Sequence, residues 1–208
     1  MTFILPLVLG FSISFLAVIL PGLINMTAAK ISLQESKNEA ISFAAGASTI
    51  VFFQTFIAVM FARFISNHDE IVATLQEIGI FIFSGLSVYF FWIAKKPKKL
   101  KADRIVKGKS NRFFFGMLLS MLNLLPIPFY VFASMGLAAA GYFSFDKIPV
   151  SSFVIGVVLG SFSVFYLYIV AFKKIEKKTE FLMQNINIVI GSVTTFMAVV
   201  TLIKLLYG

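Results

Sequence analysis

Leu20-Pro21-Gly22-Leu23-Ile24-Asn25 lies late in a long apolar segment, and its proline decides how that segment runs. Pro21 has no N–H to give a helix and its ring clashes with the preceding turn, so the helix breaks here. Gly22 lets the backbone bend further. In lipid a broken helix is tolerated only where it packs on protein or lines a cavity. A second proline break, Leu125-Pro126-Ile127-Pro128, falls about half a chain later. Interrupted apolar segments at matching positions of two halves point to a transporter binding site.

Composition sets the solvent. Of 208 residues 59% are hydrophobic, 26 are Phe, and the mean hydropathy is +0.95. That much apolar surface overfills a water-soluble core and belongs to a polytopic, all-α membrane protein. The absence of cysteine excludes disulfides, thiol redox chemistry and thiolate metal sites, and the lone His68 removes most imidazole metal chemistry. The first apolar run follows no basic stretch and has no small-residue cleavage motif, so it is expected to be a retained span rather than a signal peptide.

Six spans are expected, at 3–25, 40–62, 72–94, 113–139, 149–172 and 183–207, each longer than the ~20 residues a bilayer core requires. The net charge of +9 is unevenly placed. Nine basic residues lie between the third and fourth spans, from Lys95 to Arg112. Lys173, Lys174, Lys177 and Lys178 lie between the fifth and sixth, and Lys30 and Lys37 follow the first. These loops share one side and hold fifteen of the 18 Lys and Arg; only Arg63, Lys147 and Lys204 lie on the other. The positive-inside rule puts both termini outside the cytoplasm of a cell (inner) membrane. The basic run has no nucleic-acid-binding fold around it and reads as a topology signal that touches anionic lipid headgroups.

The halves read as weak copies in one transmembrane domain covering 1–208: repeat one at 1–94, a cytoplasmic basic loop at 95–112, repeat two at 113–208. Pro21 pairs with Pro126 at an offset of 105, Ser42-Phe43-x-x-Gly46 with Ser152-Phe153-x-x-Gly156 at 110, and Gly85 with Gly191 at 106. Three spans per half is an odd number, so the two three-helix repeats must be inverted relative to one another. Ser42, Ala45, Gly46 and Thr49 share one face of the second span, and Gly156, Gly160 and Ser163 one face of the fifth. Small faces let helix backbones approach closely, which serves packing first and a sliding contact second, and leaves a homo-oligomer open.

Around Pro21-Gly22 the chain resembles the lysine-exporter (LysE/RhtB-type) family of bacterial amino-acid exporters. Members are about this long, have six hydrophobic segments, and carry Pro-Gly-Pro near the end of the first. Here the motif reads Pro21-Gly22-Leu23, and Asn25 with a polar helix leading to Lys30 fits what usually follows in the family. A second landmark, Gly and seven residues later Asn-Pro-Lys, is met by Gly116 and Asn123, but Leu124 and Leu125 follow and the prolines come late, at Pro126 and Pro128. Many members have an acid early in the second span; this chain has Ile50 and Val51. An intramembrane carboxylate is the natural partner of a cationic substrate, so its absence argues for a neutral zwitterion over lysine.

Few polar groups lie deep. Asn25, Gln54 and Asn123 are the leading site candidates, beside the backbone at Pro21, Gly22, Pro126 and Pro128. A helix break frees N–H and C=O groups, and a free helix N-terminus suits a carboxylate. Interhelical bonding is the competing role of the three amides. Glu77 is the one acid near a span interior and is a candidate for proton coupling, or else an interfacial residue. His68 reads as a surface residue, Asn185 and Asn187 as interfacial, and Tyr130, Tyr166 and Tyr168 as candidate pathway linings. There is no catalytic triad, deep carboxylate pair, phosphate loop or metal-ligand set, so neither an enzyme nor a cofactor is expected. The expected activity is secondary export of amino acids or similar small metabolites, driven by the proton-motive force. A metal or inorganic-ion exporter, and a non-transporting membrane assembly protein, are the alternatives.

Overall fold

The computed structural model describes residues 3–68, 84–85, 87–93 and 111–184, with residue 81 and scattered positions from 188 to 203. Most of the described residues are helical. They form α1 (Ile4–Val18), α2 (Leu23–Gln34), α3 (Lys37–Ser66), a π-helical turn at Tyr89–Ile93, α4 (Arg112–Leu122), α5 (Pro126–Ala139) and α6 (Lys147–Gln184). Two of these segments are long and apolar enough to cross a membrane, Lys37–Ser66 and Lys147–Ala171. α1 with α2 and α4 with α5 make two further candidates, bent by 77° and 67°. The third and sixth expected spans lie mostly outside the described residues, as does the basic run up to Ser110.

Two compact units divide the chain: Met1–Phe64 with Lys101–Glu176, and Ile65–Leu100 with Lys177–Gly208. In the second unit, the Phe91 ring lies 3.1 Å from where a Cβ on Gly191 would sit, and the hydroxyls of Ser87 and Thr195 are hydrogen-bonded.

The first unit is built on close helix crossings. A Cβ on Gly10 of α1 would lie 2.3 Å from the carbonyl oxygen of Phe153 in α6, and one on Gly156 would lie 2.2 Å from that of Leu7. α4 crosses α3 in the same way. A Cβ on Gly116 would lie 2.0 Å from the Phe43 carbonyl oxygen, and one on Gly46 would lie 1.9 Å from that of Phe113. Only glycine permits such approaches. The contacts correspond one for one. Adding 106 takes Leu7 and Gly10 to Phe113 and Gly116, and adding 110 takes Phe43 and Gly46 to Phe153 and Gly156. Each half thus sends its first segment onto the second segment of the other half.

α2 fills the space between these crossings. Its Ile24, Ala28 and Ile31 join Ala40, Phe43, Ala44 and Ala47 of α3, Leu119 of α4, and Phe165 and Ile169 of α6 in one apolar core. On its other side Ala29 meets Val164 and Tyr168, with Phe15 and Val18 of α1. The polar helix expected between Asn25 and Lys30 runs on to Gln34, because its apolar positions recur at helical spacing and have a core to enter. The expected loop after Phe172 is helical as well, as α6 continues to Gln184. The buried face of α3 is centred on Ala40, Ala44, Ala47 and Val51, while Ser42, Ala45 and Thr49 are only half-buried; Gly46 is the member of the expected small face that is in close contact. Outward, α3 presents Phe52, Phe53, Phe56, Phe61 and Phe64, the apolar surface that hydrocarbon requires.

Arg112, counted above with the basic loop, is buried at the first turn of α4. Its Nε donates to Glu35 Oε2 at 2.8 Å and its Nη2 to Oε1, a bidentate pair at the C-cap of α2. A guanidinium beside a helix C-terminus also meets the negative end of the helix dipole.

Replacing Gly116 or Gly156 by Ala should lower the stability of the detergent-solubilised chain by about 1–3 kcal/mol each, because the added methyl meets backbone and not a movable side chain. Gly136→Ala, with nothing within 4 Å of the added Cβ, should be neutral or mildly stabilising. Thermal unfolding of the three variants checks this.

Candidate functional site

Two helix breaks organise the polar groups of the first unit. At the first, α1 ends at Val18 and α2 begins at Leu23. Pro21 is buried between them and disfavours helical geometry at Leu20. Gly22 is the N-cap of α2, with φ −125° and ψ 174°. That is extended backbone any residue adopts, and a Cβ there would come no nearer than 4.0 Å to Leu20 O. The bend therefore rests on Pro21, and the extra freedom of Gly22 is not drawn on.

The break strips carbonyls of their helical donors, and side chains replace them. Asn25 Nδ2 donates to Val18 O at 2.6 Å and to Leu20 O at 2.9 Å. The carbonyl between them, Ile19 O, accepts from the Tyr168 hydroxyl of α6 at 3.0 Å. Three successive carbonyls are thus each satisfied. One carboxamide nitrogen carries two hydrogens and can serve two of them at once.

The second break is solved by the same chemistry from another direction. α4 ends at Leu122, Asn123 is its C-cap with φ −88° and ψ 92°, and α5 begins at Pro126. Pro126 and Pro128 occupy the first turn of α5, where a missing N–H costs nothing. Pro21 stands one place before an N-cap and Pro126 one place after, so the two prolines are not in the same register. Gln54 of α3 donates through Nε2 to Ser120 O at 3.1 Å and to Asn123 O at 2.8 Å. Gln54 and Asn123 are thus brought together, with Asn123 contributing its main chain; its side chain is half-buried.

A third polar group ties three helices. Ser14 Oγ and Ser161 Oγ are 2.7 Å apart, and the Tyr130 hydroxyl donates to Ser14 Oγ at 3.1 Å. Ser32 Oγ adds a bond to Ile169 O at 3.0 Å. Of the tyrosines considered as pathway linings, Tyr130 and Tyr168 are buried in structural bonds, while Tyr166 is exposed and accepts from Lys37 Nζ at 3.0 Å. His68 is exposed at the end of α3. Glu77, Asn185 and Asn187 lie outside the described residues.

Sequence reasoning missed Tyr168 as a cap, and it missed Glu35 with Arg112. Their partners lie 149 and 77 residues away, and no local spacing announces them. Among the described residues four buried side-chain oxygens have no partner: Ser48 Oγ, Gln54 Oε1, Thr55 Oγ1 and Ser120 Oγ. All belong to α3 and α4. A shallow, open apolar groove of about 350 Å³ lies on the outer face of α3, lined by Phe56, Ile57, Met60, Phe61 and Phe64. No group of His, Asp or Glu among the described residues could hold a metal ion.

Gln54→Leu should cost about 1–3 kcal/mol for each carbonyl it leaves unpaired, whereas Asn123→Leu keeps its main-chain acceptor and should stay within about 0.5 kcal/mol of the parent. Thermal unfolding in detergent distinguishes the two. Equal losses would contradict the assignment of Gln54 as the cap.

No protein-family model, curated protein or solved structure matches this chain.

Proposed function

We propose that this chain is a secondary exporter of amino acids or similar small zwitterions, with six spans in two inverted repeats in a bacterial inner membrane. The observation that carries the reading is the pair of bent, proline-marked segments, one in each half, each crossing the second segment of the other half. In hydrocarbon, irregular backbone is kept only where protein or a cavity covers it. A discontinuous helix offers a substrate both a positive N-terminal end and free carbonyls at mid-depth. α1 and α4 are about 22 Å and 16 Å long, too short to cross a ~30 Å core alone, which supports breaks lying within the membrane. Glu35 and Arg112 pair where α2 ends and α4 begins, a charged level that adjoins the basic run assigned to the cytoplasm.

The resemblance to lysine-exporter family members rests on Pro21-Gly22, Gly116 and Asn123 and agrees with the same reading. A non-transporting membrane scaffold would not need paired breaks. The neutral side chains at both breaks favour a neutral amino acid over lysine. Without a nucleotide-binding motif, the energy comes from a gradient, for which the proton-motive force is the leading source.

Cells with and without the chain, preloaded with dipeptides of neutral amino acids or of lysine, provide the test. Wild type should speed efflux of the neutral amino acid, a protonophore should slow it, and Asn123→Leu should reduce it at least about tenfold with insertion intact. Efflux equal in cells with and without the chain, or of lysine alone, would contradict the reading.

A further inference from the structure

The second break holds more acceptors than the protein satisfies. Both partners of the Gln54 side chain are carbonyl oxygens, so its amide nitrogen must face them and its Oε1 must face away. Gln54 is only 5% exposed, and Oε1 has no partner. Ser120, whose carbonyl Gln54 holds, is 1% exposed, and its hydroxyl is unpartnered too. An orphaned buried polar group costs about 1–3 kcal/mol, so two on side chains of residues in contact call for an occupant.

The first half shows what is missing. Ser14, the counterpart of Ser120 at the offset of 106, bonds Ser161 at 2.7 Å. The counterpart of Ser161 at the offset of 110 is Val51, which offers no polar atom. Ser48 and Thr55 stand three places before and four after Val51 on the same face of α3, buried and also without partners. They are about 10 Å apart along the helix axis, so one small occupant can take only one of them.

The occupant's charge follows from its surroundings. The atoms offered are neutral oxygens, at the carbonyl end of α4, where the helix dipole is negative. A divalent ion demands carboxylates, and neither α3 from Ala40 onward nor α4 contains one. We propose that Gln54 Oε1 and Ser120 Oγ, on two side chains brought together at the last turn of α4, hold a compact monovalent cationic group: Na⁺, or the ammonium of a zwitterionic substrate. Unwound backbone and half-helix C-termini serve coupling cations in this way. The use of the site in transport rests on the exporter reading; binding does not.

The full chain in nanodiscs is assayed by scintillation proximity with radioactive sodium, and separately with radioactive methylammonium and L-alanine. Saturable sodium binding, weakened about tenfold or more by Ser120→Ala and lost in Gln54→Leu, assigns the site to Na⁺. The same variant pattern with methylammonium or alanine, and no sodium binding, assigns it to an ammonium group. Ser134→Ala is the control, since that hydroxyl is already bonded to Tyr130 O and Val131 O and should leave binding unchanged. If Gln54→Leu does not fold, Ser120→Ala and Thr55→Val are compared instead, and loss in Ser120→Ala sustains the site. No binding of any probe, or binding that both Gln54→Leu and Ser120→Ala leave unchanged, overturns the proposal and gives the orphaned groups to water. A chain that binds sodium but exports nothing would remove the exporter reading and leave this one standing.

Discussion

A main-chain carbonyl deprived of its helical donor in an apolar interior must find another donor or stay at a cost of several kcal/mol, and two breaks in this chain release such carbonyls. Asn25 and Tyr168 take up those at 18–20, and Gln54 takes up those of Ser120 and Asn123. Tyr168 and Gln54 come from helices that cross the broken ones, so the caps hold only while the crossings hold. The glycines that let α1 lie on α6 and α4 on α3 are therefore part of the same device. They bring the backbones near enough for a side chain of one helix to reach the open end of the other.

The two halves solve one problem with different residues. The first break is served from within by Asn25, three residues into α2, with help from α6. The second is served from α3 alone, by a longer amide. At the first crossing a serine meets a serine and a tyrosine joins them. At the second the counterpart positions hold Ser120 and Val51, and the serine hydroxyl goes unanswered. The contacts between backbones are matched while the polar chemistry is not, so a function that needs an asymmetric site would be built on the second break.

Much of this was legible because proline and glycine act through the backbone. Pro21 and Pro126 announced both breaks, and the pairing of Phe43-x-x-Gly46 with Phe153-x-x-Gly156 announced two equivalent crossings. Their partners, Leu7 and Phe113, were not legible, since they contribute carbonyl oxygens and any side chain would serve. α2 was legible as a polar helix only as far as Lys30, because Lys30, Ser32 and Gln34 dilute its apolar run and its burial is fixed by tertiary contacts. Asn25 and Gln54 were found as deep amides, but whether each faced a ligand or a carbonyl depended on contacts across the fold. Arg112 was assigned to the loop because its burial depends on Glu35, which only folding brings near.

The equivalence of the two crossings underlies both breaks and their caps. The chain has no cysteine, so introduced pairs report on it cleanly. Ser14 and Ser161, whose hydroxyls are 2.7 Å apart, give the first pair, and their counterparts Ser120 and Val51 give the second. In membranes under mild oxidation, S14C with S161C and V51C with S120C should each form an intramolecular disulfide, while the mixed pairs S14C with V51C and S120C with S161C should not. A mixed pair that cross-links as readily as S14C with S161C, or a V51C–S120C pair that stays reduced, would contradict it.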